Sequence, residues 1–395
     1  MTDLDSPLPA ATTWNYPTTV LFGAGAVAEL PRACEAAGIR RPLVVTDPGL
    51  ARLPVMETTL AALRDGGLEP AVFTDVRPNP VAANVEAGLA AFREGGHDGV
   101  VAVGGGSALD AGKLVAFMAG QTRPVWDFED VGDHWKRADP SGIRPVVAVP
   151  TTAGTGSEVG RAGVLTDEAT RTKKIVFHPL MMPRTAILDP GLTAGLPRHL
   201  TAATGMDALA HCLEAYCAPG YHPMAEGIAV EGLRLVLDAL PRACADGADL
   251  DARGRMLTAS AMGATAFQKG LGAIHSLSHP IGAVYDTHHG LTNAVVMPYV
   301  LAFNRPAIEA KLARLSAWLG LPDPGFDGFL ARILALREEL GIPHTLDALG
   351  VPDDRFAELA EMAVRDPTAG GNPVPFDAAA ARRMFEDAWA GRGLA

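Results

Sequence analysis

The chain has 395 residues, of which 33 are Lys or Arg and 45 are Asp or Glu, so its formal net charge is −12. Hydrophobic residues make up 48% and charged residues 20%, a globular composition that excludes intrinsic disorder. The acidic balance argues against a nucleic-acid or anionic-membrane partner, because the chain has no excess of cations to neutralise phosphates.

The cysteine content and the N-terminal residues indicate the compartment. The four cysteines contain no C-x-x-C pair and are too few for a disulfide scaffold, which predicts a reduced protein. The N-terminal segment carries acid where a signal peptide needs base, and no run of about 18 apolar residues is present. We therefore expect a cytoplasmic protein that acts on small molecules or on protein partners.

Residues 1–188 alternate short β-branched runs with helical stretches. Strands are predicted at 41–47, 70–75, 98–103 and 145–150, with helices at 51–65 and 81–95. Strands that alternate with helices indicate βαβ units and a parallel sheet. The sequence thus predicts an N-terminal α/β domain over residues 1–188, in which ligands bind at the carboxyl ends of the strands.

A glycine turn follows the third predicted strand and precedes a helical stretch. Gly104, Gly105 and Gly106 allow close approach of a ligand to the backbone, and Ser107 with Asp110 is an S-x-x-D capping pattern. The free N–H groups and the positive end of the helix dipole predict a pyrophosphate site. The pattern departs from G-x-G-x-x-G, and a purely structural turn is the alternative.

Two further polar features follow predicted strands. Residues 150–158 contain three threonines and one serine, whose hydroxyl groups suit phosphate and ribose oxygens or satisfy their own backbone. Asp47 ends the first predicted strand, where it either binds ribose hydroxyls and repels a 2′-phosphate or forms a turn. Because all these features lie at carboxyl ends of strands expected to be parallel, we predict dinucleotide binding.

From residue 189 the pattern changes to Ala- and Leu-rich segments at helical spacing. These segments are 199–217, 223–245, 251–267, 306–319, 326–340 and 376–390. They predict an all-helical second domain over residues 189–395.

The second half also concentrates histidines. Asp207 and His211 are spaced i and i+4, as are His275 and His279, and two further histidines follow within ten residues. Imidazoles in an apolar segment are costly unless they are bonded, and one carboxylate with several imidazoles suits Fe²⁺ or Zn²⁺. The alternatives are an ordinary i,i+4 surface pair and a helix-end histidine.

At these residues the sequence resembles the iron-containing (group III) alcohol dehydrogenases. The resemblance extends from residue 22 to residue 373, and it includes the 14-residue step from His275 to His289. The matching motifs are Gly104–Lys113, Pro150–Val159, Gly205–His211 and Gly272–Gly290.

The resemblance implies a metal-dependent, NAD-linked alcohol dehydrogenase with an α/β cofactor domain and a helical metal domain. It implies Fe²⁺, with Zn²⁺ or another divalent ion as alternatives, NAD rather than NADP through Asp47, His279 as the catalytic proton-relay residue, and a homodimer. The implied metal ligands are Asp207, His211, His275 and His289. The predicted cofactor contacts are Asp47, Asn79, Gly104, Gly105, Gly106, Ser107, Asp110, Thr151, Thr152, Thr155, Ser157, Lys174 and Leu188.

The predicted substrate pocket departs from the family pattern. Several relatives carry Phe-Ser-Asn before the first downstream histidine, where this chain has residues 266–271. Phe267, Lys269 and Arg161 are the predicted pocket residues; each of the two cations either meets an anionic substrate group or is a surface side chain. Small primary alcohols, diols and hydroxy acids, with the corresponding aldehydes, are the expected substrates.

Three other functions are compatible with parts of this pattern. A hydroxyacid–oxoacid transhydrogenase would hold its cofactor tightly, and an NAD-using lyase of the same fold would show no net NADH production. A non-enzymatic scaffold would be expected to have a broken glycine loop or ligand set, and both are intact here.

Overall fold

The computed structural model describes residues 15–16 and 18–394, which divide into two compact units. The first unit comprises Tyr16–Leu196 with Ala248–Leu257, and the second includes Pro197–Gly247 and Thr258–Ala395. The first unit is therefore continuous to Leu196, whereas the sequence places the domain boundary at residue 188.

A six-stranded parallel sheet forms the centre of the first unit within the described residues. Its order is β1-β8-β5-β4-β2-β3. The strands are β1 (Thr19–Phe22), β2 (Pro42–Val45), β3 (Ala71–Phe73), β4 (Gly99–Gly104), β5 (Val146–Pro150) and β8 (Thr185–Leu188). All five pairings are parallel, which confirms the predicted fold class. An antiparallel hairpin, β6 (Ala162–Asp167) and β7 (Thr172–Phe177), was not predicted.

The central strands are buried on both faces, which explains their continuous apolar sequences. Along β4, Val100 and Ala102 belong to one hydrophobic cluster, and Val101 and Val103 belong to another. Because successive side chains point to opposite faces of a strand, the sheet has a core on each side. Helices α1 (Leu30–Ala36), α2 (Pro54–Asp65), α3 (Ala82–Glu94) and α4 (Gly106–Met118) belong to this unit.

The strand order reverses between β2 and β4, since the chain passes from β2 outward to β3 and then returns to the other side of β2. In open α/β sheets, ligands bind at the carboxyl ends of the strands beside such a reversal. Asp47 follows β2 and the glycine turn follows β4, so both lie at this position.

After residue 197 the chain is predominantly helical. The helices are α5 (Arg198–Cys217), α6 (Pro223–Ala245), α7 (Leu250–Ala266), α8 (Ala273–Tyr285), α9 (His289–Trp318), α10 (Phe326–Leu340), α11 (Phe356–Arg365) and α12 (Ala378–Ala390). Helix α9 starts well before the predicted 306–319 segment and continues through Pro298 and Pro306. Proline lowers helix propensity locally, but burial of much of α9 compensates. None of the described helices has the length and apolar character needed to cross a membrane.

Candidate metal centre and cofactor loops

Helix α5 is buried almost all round and carries three polar side chains in one stripe. Asp207, His211 and Glu214 follow the spacing i, i+4 and i+7, and each is buried. Residues at this spacing share one face of a helix. A buried stripe of carboxylates and imidazole among alanines and leucines requires polar partners, and the neighbouring helices supply them.

Three imidazoles surround the carboxylate of Asp207. The Nε2 atom of His289 lies 3.4 Å from Asp207 Oδ1, and that of His275 lies 3.7 Å away. Asp207, His275 and His289 each offer a ligand atom, and these atoms lie within 4.8 Å of one another. His211 is outside that group of three, although its Nε2 lies 3.8 Å from Asp207 Oδ1 and its ring stacks on His275 with centroids 4.7 Å apart.

The electrostatics of this group favour a bound positive charge. Burial raises the pKa of Asp207, but the adjacent histidines outweigh that effect and hold it well below its usual range. Burial lowers the pKa of His275, but Glu214 and Asp207 raise it to about 9. A divalent cation competes with protons for such nitrogens. The carboxylate and imidazole ligands that this group offers suit a borderline metal ion. The residues present therefore fit a divalent metal ion.

Asn293 lies at the centre of the group and was missed from the sequence. Its Nδ2 atom donates to Asp207 Oδ1 at 2.8 Å and lies 3.3 Å and 3.2 Å from Nε2 of His275 and His289. Its Oδ1 atom is buried without a hydrogen-bond partner among the described residues. The available signal was its position four residues after His289 on α9, which places both side chains on one helix face.

Glu214 caps the helix that carries two of the histidines. Its Oε1 atom accepts the N–H of Ile274 at 2.6 Å, and its Oε2 atom lies 2.6 Å from His275 Nδ1. The amide oxygen of Asn372 accepts the neighbouring N–H of Ala273 at 3.1 Å. Since the N-cap residue of α8 is a glycine with no side-chain bond, these two buried side chains satisfy the first turn of the helix instead.

His279 lies beside the metal group and contacts a second carboxylate. Its ring stacks on His289 with centroids 5.3 Å apart, and its Nδ1 atom lies 2.8 Å from Asp366 Oδ2. Burial raises the pKa of Asp366, but the charge and hydrogen bond of His279 and the bonds from Thr368 lower it below its usual value. Asp366 is 87 residues from His279, so no local spacing could have identified it.

Two of the predicted pocket residues lie on the segment after α7, and one of them contacts the metal group. The Phe267 ring meets the His211 ring edge-on at 5.2 Å. The side chain of Lys269 is buried, and its ammonium donates to Glu226 and to the carbonyl of Tyr216. The alternative of a surface lysine with its ammonium in water is therefore excluded for Lys269.

Lys269 shares Glu226 with a second lysine. Lys311 Nζ lies 3.2 Å from Glu226 Oε1, so two ammonium groups contact one carboxylate. Burial, and then the charge of Lys311, lower the pKa of Lys269 to about 8.

In the first unit, the glycine turn begins α4 without a side-chain cap. Helix α4 starts at Gly106, and Gly105 is its N-cap residue with no side-chain hydrogen bond. The predicted capping role of Ser107 is therefore wrong, because Ser107 already lies inside the helix. Asp110 does not complete a capping box either, because its carboxylate accepts from Ser157 Oγ at 2.5 Å and from Val164 N at 3.0 Å. The first N–H groups of α4 thus lack a side-chain cap and suit an anion.

The two predicted cofactor loops pack directly against each other. A Cβ atom on Gly106 would lie 2.6 Å from Thr155 Cγ2, and one on Gly105 would lie 3.5 Å from Thr152. Gly104 has φ +143°, a conformation that L side chains rarely adopt, and its carbonyl accepts from Thr151 N at 3.0 Å. Glycine is thus required by both backbone conformation and close approach.

A buried lysine joins the second loop to α4. Lys113 Nζ lies 3.1 Å from Asp110 Oδ1 and donates to the carbonyl of Ser157 at 3.0 Å and to that of Ala162. Asp110 and Ser157 are therefore bonded to each other and to Lys113, which orders the loop.

The remaining predicted cofactor residues lie elsewhere in the first unit. Asp47 Oδ1 accepts from the N–H groups of Gly49 and Leu50, and its Oδ2 atom would lie 3.8 Å from a Cβ on Gly104. Asp47 therefore forms a turn and also borders the glycine loop. Asn79 has a positive φ of 51°, and Leu188 is buried at the end of β8.

Of the two remaining predicted cations, Lys174 lies on β7 and Arg161 immediately precedes β6. Lys174 is paired with Asp167 at 3.1 Å and with Glu129 at 3.5 Å. The Arg161 guanidinium lies 5.2 Å from the centroid of the Phe177 ring. Both side chains already have partners within the first unit.

Family models match almost the whole chain. The model described as iron-containing alcohol dehydrogenase matches residues 17–190, and the model for the C-terminal part of the Fe-containing alcohol dehydrogenase family matches residues 201–389.

Individual relatives agree with this match. The chain is 42% identical to a 4-hydroxybutyrate dehydrogenase of Cupriavidus necator over 381 residues, which cover 94% of this chain and 98% of the relative. It is 36% identical to an NAD-dependent methanol dehydrogenase of Bacillus methanolicus, covering 92% and 96% of the two chains. The crystal structure of a 1,3-propanediol oxidoreductase superposes with a TM-score of 0.91 at 36% identity, covering 96% of this chain and all (100%) of the other.

Proposed function

The chain belongs to the iron-containing alcohol dehydrogenase family, an oxidoreductase family acting on CH–OH groups, and we propose that it interconverts a small alcohol and its aldehyde with NAD as hydride carrier. The alcohols proposed are primary alcohols, diols and hydroxy acids. The observation that carries the proposal is the buried Asp207 carboxylate with three imidazole nitrogens within 3.8 Å of one oxygen.

The proposed metal ligands are Asp207, His211, His275 and His289. We favour Fe²⁺ because of the family to which the chain belongs, with Zn²⁺ or another divalent ion as the alternative. A divalent ion at this group supplies Lewis acidity toward the alcohol or carbonyl oxygen, and the nicotinamide supplies the hydride chemistry. The chain contributes the orientation of the donors, through Glu214 at His275 and Asn293 at Asp207.

His279 is the proposed proton-transfer residue. Imidazole exchanges protons in the working pH range, and the ring stacks on His289, one of the proposed ligands. His279 therefore lies beside the group that would hold the reacting oxygen, where it can accept the hydroxyl proton and return it in the reverse reaction.

NAD binding is supported by the geometry at the carboxyl ends of β2 and β4. The uncapped start of α4 offers N–H groups to a pyrophosphate, and the threonines of the second loop border it. Asp47 places a carboxylate beside the glycine loop, where it would repel a 2′-phosphate. One relative, the methanol dehydrogenase, is named as NAD-dependent.

A hydroxy acid is the substrate class that the second unit supports most specifically. Lys269 and Lys311 both contact the carboxylate of Glu226, so two ammonium groups lie together in the second unit. Lys269 follows two residues after Phe267, whose ring contacts the proposed ligand His211, and this segment is the proposed site for the carboxylate of a hydroxy acid. A relative named for 4-hydroxybutyrate supports the same class. Arg161 remains a weaker proposal for an anionic substrate group, because its guanidinium already packs on Phe177.

The decisive experiment is anaerobic purification followed by metal analysis and assay. Activity with a panel of aldehydes, measured with NADH and NADPH at matched concentration, should track bound metal. His275→Ala should abolish metal binding while NAD still binds, and the exposed neighbour variant His288→Ala should keep the metal. Full activity in metal-free protein would overturn the proposal, and turnover without added NAD would favour a transhydrogenase.

A homodimer and a cytoplasmic location complete the proposal. The homodimer rests on the family resemblance, and light scattering of the purified enzyme tests it. The cytoplasmic location is supported by the four buried cysteines, none of which forms a disulfide, as suits a reducing compartment. Fractionation of the source cells tests the location.

A further inference from the structure

The side chain of Asp366 is fixed by hydrogen bonds from Thr368 in addition to its contact with His279. It immediately follows α11, and its Oδ1 atom accepts from the backbone N–H of Thr368 at 2.9 Å and from the Thr368 hydroxyl at 2.6 Å. Only 6% of the Asp366 side chain is exposed. A buried carboxylate with one oxygen committed to two donors has little freedom to rotate, so its second oxygen occupies a defined position.

The second oxygen of Asp366 faces one ring nitrogen of His279. Asp366 Oδ2 lies 2.8 Å from His279 Nδ1. An ionised carboxylate can only accept hydrogen bonds, so Nδ1 must carry the proton and Nε2 must carry the lone pair in neutral His279. Stacking on His289 and an edge contact with His275, at centroid distances of 5.3 Å and 5.8 Å, further restrict the ring.

We propose that Asp366, itself clamped by Thr368, is a positioning residue that sets the tautomer and orientation of His279. The inference rests on the proposed function, in which His279 exchanges the substrate proton, but it concerns a different residue. In that reaction the hydroxyl proton goes to His279 Nε2 and then to solvent. The alcohol carbon transfers a hydride to NAD⁺, which leaves the carbonyl product and NADH. Asp366 contacts neither substrate nor cofactor and acts only through the imidazole.

The replacement Asp366→Asn should change the tautomer of His279 while keeping the hydrogen bonds from Thr368 that fix the side chain. The amide oxygen of Asn can keep both bonds from Thr368, and its NH₂ group then faces His279 Nδ1. Because that group donates, Nδ1 must become the acceptor and the proton must move to Nε2. A substitution that imposes the wrong tautomer on a catalytic histidine lowers kcat by up to about 10⁴-fold, so we expect a loss of at least about 100-fold here.

The experiment uses full-length enzyme loaded with Zn²⁺ and labelled with ¹⁵N-histidine. Long-range ¹H–¹⁵N spectra should show His279 protonated at Nδ1 in the wild type and at Nε2 in Asp366→Asn, with His279→Gln assigning the signals. Metal content, NAD affinity and KM should change little while kcat falls. Asp354→Asn, which removes an exposed carboxylate bonded to Tyr285, is the matched control and should keep wild-type kcat.

Thr368→Val tests the clamp independently, and we expect a smaller, several-fold loss of kcat. Wild-type kcat in Asp366→Asn, or an Nε2-protonated His279 in the wild type, would overturn the inference. If Asp366→Asn does not fold, the His279 tautomer in the wild-type spectrum and the kcat of Thr368→Val still test the inference. Absence of metal binding or alcohol oxidation in the wild type would instead refute the proposed function, and the spectrum would still report the tautomer.

Discussion

Glu214 and His275 form a buried carboxylate–imidazole pair in which Glu214 Oε2 lies 2.6 Å from His275 Nδ1. The other carboxylate oxygen accepts the N–H of Ile274, so one side chain holds both the imidazole and the first turn of α8. Outer carboxylates of this kind orient a metal-binding histidine and raise its basicity. The carboxylate that helix α5 contributes at position 214 therefore orients His275, the proposed metal ligand on α8.

Glu214→Gln should weaken metal binding by about 10- to 100-fold, because an amide can accept from only one of the two N–H groups that Glu214 serves. The affinity is measured by competition with a chelating dye. Glu231→Gln removes an exposed carboxylate paired with Arg234 and should leave the affinity unchanged. Equal affinities in wild type and Glu214→Gln would show that the pair does not support a metal ligand.

Gly106→Ala should weaken NAD binding, because the added Cβ would lie 2.6 Å from Thr155 Cγ2 and would push the second loop away. We expect about a tenfold loss, measured by calorimetric titration. Adding Thr155→Ser removes the clashing methyl group but keeps the hydroxyl that accepts from Ser157 N, so the double variant should recover much of the affinity. A double variant as weak as Gly106→Ala would mean that the clash is not the cause.

Asp47→Asn should relax the preference for NAD over NADP. The amide oxygen can still accept from Gly49 N and Leu50 N, so the turn is kept while the negative charge is removed. Loss of repulsion between two charges a few ångströms apart should raise the ratio of kcat/KM for NADPH to that for NADH by at least about tenfold. Asp65→Asn, at the end of α2, is the control with the same charge change. An unchanged ratio would show that Asp47 serves the turn alone.

Glu158 should make the wild-type protein less stable as the pH rises. The side chain is buried with Oε1 unpartnered among the described residues, and burial raises its pKa from 4.5 to about 7. Between these values the folded chain holds a proton that the unfolded chain has released, so stability falls as the pH rises from 4.5 to about 7 and is level above that.

Glu158→Gln removes this dependence, so its thermal midpoint relative to wild type should rise between pH 5 and pH 8. The difference in unfolding free energy is at most about 3 kcal/mol. Glu168→Gln, at an exposed carboxylate paired with Arg77, should show no such trend. A pH-independent difference for Glu158→Gln would indicate an ionised carboxylate in the folded protein.

Local patterns were sufficient for the parallel sheet, the helical second half and the two i,i+4 histidine sites. These features are local because the helix period of about 3.6 residues and the strand period of about 2 residues relate side chains that are close in sequence. The i, i+4, i+7 spacing of Asp207, His211 and Glu214 is also a local pattern, and it places Glu214 on the same helix face as the two predicted ligands. The turn at Gly104–Gly106 was correctly identified, but its cap was not, because a one-residue shift in the helix start changes which side chain can cap.

Only tertiary structure decided which distant side chains meet. Asp366 reaches His279 across 87 residues, Asn372 reaches Ala273 across 99, and Lys269 is buried against Glu226 rather than exposed. No short-range spacing encodes these contacts, because they depend on how α5, α6, α8 and the segment after α11 pack. The sequence therefore supplied the chemical groups of the proposed metal site, and the packing of the helices determined how those groups are oriented.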